Sequence, residues 1–289
     1  MRRTDSAAKR RPLSELNVID DFLFTELMND PEHSQEFSEL LISTLIGRKI
    51  SVRRVQAQMT TNATDTDEHG IRMDAYIEPL PNGEENAVIY DMEMETRAAD
   101  KESLPRRNRY YSSLLDSHLL KIGKDYKTLP ELMTIFVLSY DPFAEGRMLY
   151  EARTSIVGAP EIPYDDGIRR LYFYTDGEPP KDSGEYGNAL KNLLQYIRHS
   201  TDTYVVDETT KRIDSFVNDA KIRKGVAVRH MKRWELDKII RKEGQDEILA
   251  LHRWLLDNNR MEDLRRSTDD NEYREQLFAE MNAGATPSE

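Results

Sequence analysis

The apolar run at residues 132–140 constrains the fold more than any other stretch of this chain. Its length and its β-branched side chains favour a strand that is buried on both faces. Asp141-Pro142-Phe143 follows and ends it. A doubly buried strand is typical of α/β proteins, because helices cover both faces of its sheet.

Two segments upstream of this strand predict a β-hairpin. Residues 70–76 and 88–95 both alternate apolar and polar side chains, as half-buried strands do. The stretch between them is rich in turn formers. Pro105 then precedes a helix candidate that ends near Gly123. Hairpin, helix and buried strand, in this order, predict an α/β core with a mixed central sheet.

The hairpin carries carboxylates on one face. Successive strand residues point to opposite faces, so Asp91, Glu93 and Glu95 share one of them. Asp74 on the first strand joins this face in either of two registers. A four-residue turn that starts at Asn82 would put Asp74 opposite Glu93, whereas a two-residue turn there would put it opposite Asp91.

Carboxylates held this close together repel one another. Cross-strand neighbours lie about 4.5–5.5 Å apart at Cβ. A metal ion, a shared proton or solvent can relieve the repulsion, and Mg²⁺ favours oxygen ligands of this kind. The alternative is an ordinary half-exposed hairpin with a solvated acidic face.

Composition excludes several classes of protein. The chain has no cysteine, which excludes disulfides and cysteine-ligated zinc. No apolar run approaches the ~20 residues that span a bilayer. Residues 1–12 lack the apolar core of a signal peptide, so we expect a cytoplasmic protein with no membrane partner. The net charge of −12 argues against non-specific coating of DNA but allows a local basic groove.

Positive charge is concentrated in two places. Between Lys211 and Lys242 there are eleven Lys or Arg against four Asp or Glu, a surplus of seven. A second cluster follows directly after the acidic strand and consists of Arg97, Lys101, Arg106, Arg107 and Arg109. Either cluster could be a solvated helix face or could bind phosphates. The stretch from 211 to 242 could also be a helical arm that packs against a partner subunit.

The pattern along the chain predicts four regions. Residues 1–12 form a flexible basic tail, and residues 13–183 form the α/β core, which begins with helices over 13–47. Residues 184–283 form a helical C-terminal region, and residues 284–289 form a disordered tail. Helices of the C-terminal region are predicted at 186–200, 207–220, 221–256 and 271–281, and further strands at 51–59 and 169–174.

These motifs together resemble the recombination-promoting nuclease and transposase-like family of the PD-(D/E)XK nuclease superfamily. The likeness runs over roughly residues 15–245 and is carried by the order and spacing of its motifs. The matching stretches are Asp21-Phe22-Leu23-Phe24, Tyr90-Asp91-Met92-Glu93-Met94-Glu95, and residues 70–76, 104–111, 119–126, 136–143 and 223–231.

The resemblance implies a restriction-endonuclease-like core and metal-dependent cleavage of DNA phosphodiesters. The first acidic residue of the superfamily corresponds to Asp74, and the acidic residue of its (D/E)XK element corresponds to Glu93. These two side chains would ligate Mg²⁺ or Mn²⁺. Glu95 stands where a Lys, or in this family often a Gln, is expected.

Glu95 is the main departure from the family pattern. An ionised glutamate cannot donate a hydrogen bond, so Glu95 would act as a third metal ligand or a general base. The missing positive charge would come from the following helix, where the candidates for binding DNA phosphate are Lys101, Arg106 and Arg107. Some members of the superfamily also use an acidic residue from the first helix, and the candidates for that role are Asp21, Glu26 and Glu39.

The sequence therefore predicts a Mg²⁺-dependent DNA endonuclease linked to recombination or mobile DNA. Its expected partners are DNA and a second copy of the chain, bound through the helical C-terminal region. One alternative is a catalytically impaired nuclease fold that binds DNA or protein. Another is a helical assembly protein in which the α/β core is only a scaffold.

Overall fold

The computed structural model describes residues 11–61, 71–79, 88–98, 101–120 and 123–284. Within these ranges the backbone alone is described at 58–61, 71–76, 79, 237, 240, 241, 243, 283 and 284. The strands of the described part are β1 (Val52–Thr61), β2 (Ile71–Pro79), β3 (Val88–Glu95), β4 (Glu131–Leu138), β5 (Leu149–Ala152) and β6 (Ile168–Tyr174).

These strands form a single mixed sheet in the order β1-β2-β3-β4-β6-β5. The first three strands are antiparallel neighbours, while β3, β4 and β6 run parallel to one another. The short strand β5 pairs antiparallel with β6 at the sheet edge. β4 is buried almost throughout, because it lies between two parallel neighbours and under helices on both faces.

Eight α-helices belong to the described residues. They are α1 (Asp21–Met28), α2 (Ser34–Ile46), α3 (Leu104–Leu119), α4 (Gly184–His199), α5 (Glu208–Ile222), α6 (Lys224–Asp257), α7 (Met261–Asp269) and α8 (Asn271–Gly284). Helix α2 ends at Gly47, whose φ of 70° is a left-handed conformation that glycine adopts without a Cβ clash.

Helices cover the two faces of the sheet unequally. One face packs against α1, α2, α4 and α5 in a large core to which β3 contributes Tyr90, Met92 and Met94. The other face is covered by α3, which packs Leu115 against Ile89 and Leu132. The strand residues on the α3 face therefore include Asp91, Glu93 and Glu95, which alternate with the apolar ones.

The chain divides into two compact units, the first ending at Ala227 and the second beginning at Val228. Helices α4 and α5, predicted as part of a C-terminal helical region, contribute to the core of the first unit through residues such as Leu193 and Phe216. In the second unit, Leu251 and Leu255 of α6 are buried with Leu277 of α8.

The predicted α/β class and mixed sheet flanked by helices are confirmed. Strands and helices lie close to the predicted ranges, but β5 and α7 were not predicted. The predicted basic tail falls largely on residues 1–10, and the predicted C-terminal tail on 285–289, outside the described residues. Helix α8 extends to Gly284. None of the helices in the described ranges is both long and apolar enough to cross a membrane.

Candidate active site

Three carboxylates of β3 lie under α3. Asp91 is fully buried and Glu93 is 8% exposed, while the side chain of Glu95 is 13% exposed. They occupy alternate positions of one strand, so they share the α3 face and follow one another at about 6.6 Å intervals. Burial this deep distinguishes the face from an ordinary solvated hairpin, on which carboxylates would contact water.

The register of β2 against β3 bears on Asp74. Ala75 pairs with Met92 and Tyr76 pairs with Asp91. The same register, continued by one residue along the strand, puts Asp74 opposite Glu93. This is the register expected for the four-residue turn. The backbone of Asp74 lies in β2, and its side chain lies outside the described part of the chain.

Glu95 is held by hydrogen bonds to both of its oxygens. Its Oε1 accepts from the backbone N–H of Arg97 at 2.7 Å, and its Oε2 accepts from Nη2 of Arg107 at 3.0 Å. Arg107 comes from the first turns of α3 and also lies over the ring of Phe136, 5.8 Å from its centroid. Glu95, at the position where the resemblance implies Lys or Gln, is therefore a carboxylate paired with a guanidinium.

The electrostatics around Arg107 favour its charged form. Burial by itself lowers the pKa of Arg107, but the hydrogen bond to Glu95 and the nearby charges of Glu95, Tyr111 and Glu93 outweigh it, so that the pKa is raised. Arg107 thus stays a cation and is close enough to both glutamates to feel their charges. Of the predicted phosphate-binding cations, it is the one that the structure pairs with the acidic face.

A buried polar network continues the α3 face beyond the carboxylates. Nδ2 of Asn108 donates to Oγ1 of Thr134 at 2.9 Å and to the hydroxyl of Tyr172 at 3.3 Å. Oγ of Ser112 donates to the backbone carbonyl of Asn108 at 2.9 Å. Asn108, Ser112 and Thr134 are almost fully buried. Since Thr134 is the register partner of Asp91, this network lies directly beside the carboxylates.

The loop after β4 lies at the carboxyl ends of the parallel strands β3 and β4. Asp141 accepts from the backbone N–H of Phe143 at 3.0 Å, from that of Gly146 at 2.6 Å and from the hydroxyl of Tyr150 at 2.8 Å. Burial raises the pKa of Asp141, but these hydrogen bonds outweigh it and the net pKa is lowered. The ring of Phe143 lies edge-on to Tyr172, with 5.4 Å between centroids. Asp141-Pro142-Phe143 thus has a structural function next to the network.

The two other predicted phosphate-binding cations are accessible, and so is one of the two neighbouring tyrosines of α3. Arg106 is exposed and Lys101 is half-buried, as expected for side chains that can reach a ligand. Tyr110 is 41% exposed, whereas Tyr111 packs against the small cluster around Leu115. Of the two tyrosines, Tyr110 is the one with an accessible ring.

The N-terminal acidic candidates belong to helices on the other side of the sheet. Asp21 lies in the first turn of α1 and its Oδ1 accepts from Oγ1 of Thr25 at 3.4 Å. Oε1 of Glu39 accepts from the backbone N–H of Val52 at 2.8 Å, which braces the start of β1. Both α1 and α2, the helices of Asp21, Glu26 and Glu39, pack on the face opposite to Glu93.

The donors on the α3 face fit a hard divalent cation. They are carboxylate oxygens, which Mg²⁺ and Mn²⁺ prefer, and Glu93 stands at the register position opposite Asp74. Among the residues with described side chains, no group of three or more His, Asp or Glu is arranged around a common point. Because Asp74 lies outside that set, the predicted metal pair remains a prediction.

Sequence reasoning missed Asn108 as a neighbour of the site. The signal was present: Asn108 and Ser112 are four residues apart on the buried stripe of α3, together with Leu104 and Leu115. Polar residues on the apolar stripe of an amphipathic helix indicate a buried polar contact, but they do not identify the partner.

Comparisons of this chain with known protein families, with characterised proteins and with solved structures find no match. The resemblance drawn from the motifs therefore supports proposals only.

Proposed function

We propose that this protein is a metal-dependent DNA endonuclease with a restriction-endonuclease-like core, in which Asp74 and Glu93 hold Mg²⁺ or Mn²⁺. The observation that carries the proposal is the buried acidic face of β3 with a cation, Arg107, paired to it. Burying several carboxylates on one strand costs folding free energy and is typical of functional sites.

Glu93 is the proposed metal ligand whose side chain the structure describes. The residue is 8% exposed, and its strand position faces that of Asp74. Oxygen ligands from two neighbouring strands suit a cation that needs one or two carboxylates and otherwise binds water and phosphate. When bound, the ion would neutralise the scissile phosphate and lower the pKa of the attacking water.

Arg107 and Glu95 together would replace the usual Lys. The guanidinium donates to Glu95 and retains further N–H groups for a phosphate oxygen. A cation positioned by an ion pair needs no rearrangement when charge develops in the transition state. Glu95 would then act as a positioning residue for Arg107.

DNA is the proposed partner, despite the net charge of −12. The exposed Arg106 and the half-buried Lys101 flank Arg107 at the start of α3. Cations placed here would contact phosphates on either side of the acidic face. Together they form the local basic patch that a DNA-cleaving enzyme requires. Linkage to recombination or to mobile DNA is proposed on the motif resemblance alone, and so is a cytoplasmic location.

A plasmid-nicking assay with and without Mn²⁺ or Mg²⁺ tests this proposal. We expect nicking that requires the metal and falls to background in Glu93→Gln, because the amide cannot supply a charged ligand. Glu161→Gln, an exposed substitution of the same chemistry, is the matched control and should cleave normally. Arg107→Ala should lower the rate about 10²–10³-fold, as the loss of a preorganised cation does. Equal cleavage by wild type and Glu93→Gln would refute the proposal.

The second candidate is a nuclease fold that has lost its catalysis and binds DNA or protein. It is favoured by the Glu95–Arg107 ion pair, in which both partners satisfy each other rather than a substrate. It predicts that calorimetry detects no Mn²⁺ site. A Mn²⁺ site that disappears in Glu93→Gln and persists in Glu161→Gln would rule this candidate out.

A further inference from the structure

Helix α6 has an exposed stripe on the side away from the core of the second unit. Its C-terminal half buries Leu251 and Leu255 against α7 and α8. On the opposite side of the helix, nine residues recur at alternating intervals of four and three, the spacing of a coiled-coil seam. We call them the α6 seam: Val228, Lys232, Glu235, Ile239, Lys242, Asp246, Leu249, Arg253 and Leu256.

The α6 seam is accessible along its whole length. Its apolar members are about half exposed, with Val228 at 46%, Ile239 at 54%, Leu249 at 51% and Leu256 at 49%. Its charged members are all exposed. Four of its nine members are apolar side chains that remain half in solvent between charged ones, so a second helix with apolar and oppositely charged partners at the same spacing would cover them.

The charges of the α6 seam identify that partner. The six members nearest to Gly244 form three pairs. The two residues of each pair lie at equal distances before and after Gly244 in the sequence, and they are complementary in charge or both apolar. Glu235 corresponds to Arg253, and Lys242 corresponds to Asp246, so acid matches base. Ile239 corresponds to Leu249, so apolar matches apolar.

We propose that a second copy of this chain binds the α6 seam as an antiparallel two-stranded coiled coil, with its two-fold axis at the level of Gly244. In a two-fold interface residue i contacts residue j and j contacts i, so each complementary pair forms twice. Glu235 then faces Arg253 of the other copy, Ile239 faces Leu249, and Lys242 faces Asp246. The seam from Lys232 to Leu256 is about 36 Å long. This proposal does not depend on the proposed nuclease activity.

Other pairings of the same seam bring like charges together. A parallel, in-register dimer would set Glu235 against Glu235 and Arg253 against Arg253. Antiparallel pairing shifted by one heptad in one direction would set Glu235 against Asp246. A shift in the other direction would set Lys242 against Arg253. Like-charge contacts select against a wrong register, so of these four arrangements the charges favour the antiparallel one centred at Gly244.

Charge reversal tests the pairing in the full-length protein. Sedimentation equilibrium should show a dimer for the wild type. Glu235→Arg should weaken it at least about 30-fold, because the introduced arginine meets Arg253 of the other copy twice per dimer. The double variant Glu235→Arg with Arg253→Glu restores opposite charges and should recover the dimer. Both residues are exposed, so helicity by circular dichroism should not change. A monomeric wild type, or a double variant no better than the single one, would overturn the proposal.

A distance measurement separates antiparallel from parallel pairing. The chain has no cysteine, so a single introduced one takes a spin label at a unique position. Labels on Gln245→Cys should lie about 10 Å apart in either orientation, close to the helix spacing. Labels on Asp257→Cys should lie about 39 Å apart in the antiparallel dimer, because each copy contributes about 13 residues of helical rise. A separation near 10 Å for Asp257→Cys would mean a parallel dimer and would refute the inference.

Discussion

On one face of β3, Tyr90, Met92 and Met94 are buried in a core that four helices share with the sheet. On the other face, Asp91, Glu93 and Glu95 are buried or nearly so beneath the single helix α3. The first face contributes stability through the removal of apolar surface from water. The second holds charges away from water, which lowers stability unless partners compensate. Buried charges of this kind are typical of functional sites.

Truncation of Met92 should give the largest loss of stability. Met92 is fully buried in the large core, so Met92→Ala should lower the free energy of unfolding by about 2–5 kcal/mol. Urea denaturation monitored by circular dichroism measures the change.

The neighbouring Glu93→Gln is the matched comparison on the other face. It should leave the free energy of unfolding unchanged or raise it by up to about 2 kcal/mol, since it reduces the repulsion among the three carboxylates of the α3 face. A loss as large as that of Met92→Ala would mean that Glu93 stabilises the fold, and the contrast between the two faces would be wrong.

Removal of the Asn108 side chain should have an intermediate effect. Asn108→Ala removes the hydrogen bonds to Thr134 and Tyr172 and leaves their hydroxyls without these contacts. The expected cost is about 1–3 kcal/mol in the same denaturation experiment. Ser113→Ala, an exposed change on the same helix, should cost much less. Equal losses for both variants would show that the polar network does not stabilise the α3 face.

The Asp141 loop should give the smallest effect, and one that depends on pH. The folded-state pKa of Asp141 is lowered, so its contribution is present above the unfolded pKa of about 3.9 and is lost as the pH falls through the folded value. Asp141→Asn should therefore be less stable than wild type by about 1 kcal/mol at pH 7. Thermal unfolding between about pH 7 and pH 2.5 should show this difference shrinking below about pH 4. If the difference in stability between Asp141→Asn and wild type does not change with pH, the effect comes from the amide group and not from the loss of the charge.

Local patterns were sufficient for most of the fold. The alternation in β2 and β3, the apolar run of β4 and the helical periodicity around α3 depend on neighbouring residues, so the sequence predicts them. Strand β5 and helix α7 escaped prediction for a physical reason. β5 is four residues long and is stabilised by its ladder with β6. α7 is largely charged and depends on contacts such as the packing of Leu264 against the core of the second unit.

The same distinction between local pattern and tertiary contact applies to the candidate site. The period of a strand is two, so the sequence by itself determined that Asp91, Glu93 and Glu95 share a face, and it identified the cations that follow them. The α6 seam is equally a property of the sequence, because its spacing and charges can be read from a single helix.

Only the tertiary structure decided which groups meet across the fold. It paired Arg107, rather than Lys101 or Arg106, with Glu95, and it set Asn108 against Thr134 and Tyr172. It also assigned α1 and α2, with their acidic candidates, to the face away from Glu93. These contacts join residues that are distant in the chain. They depend on the packing of whole helices against the sheet, which local periodicity does not specify.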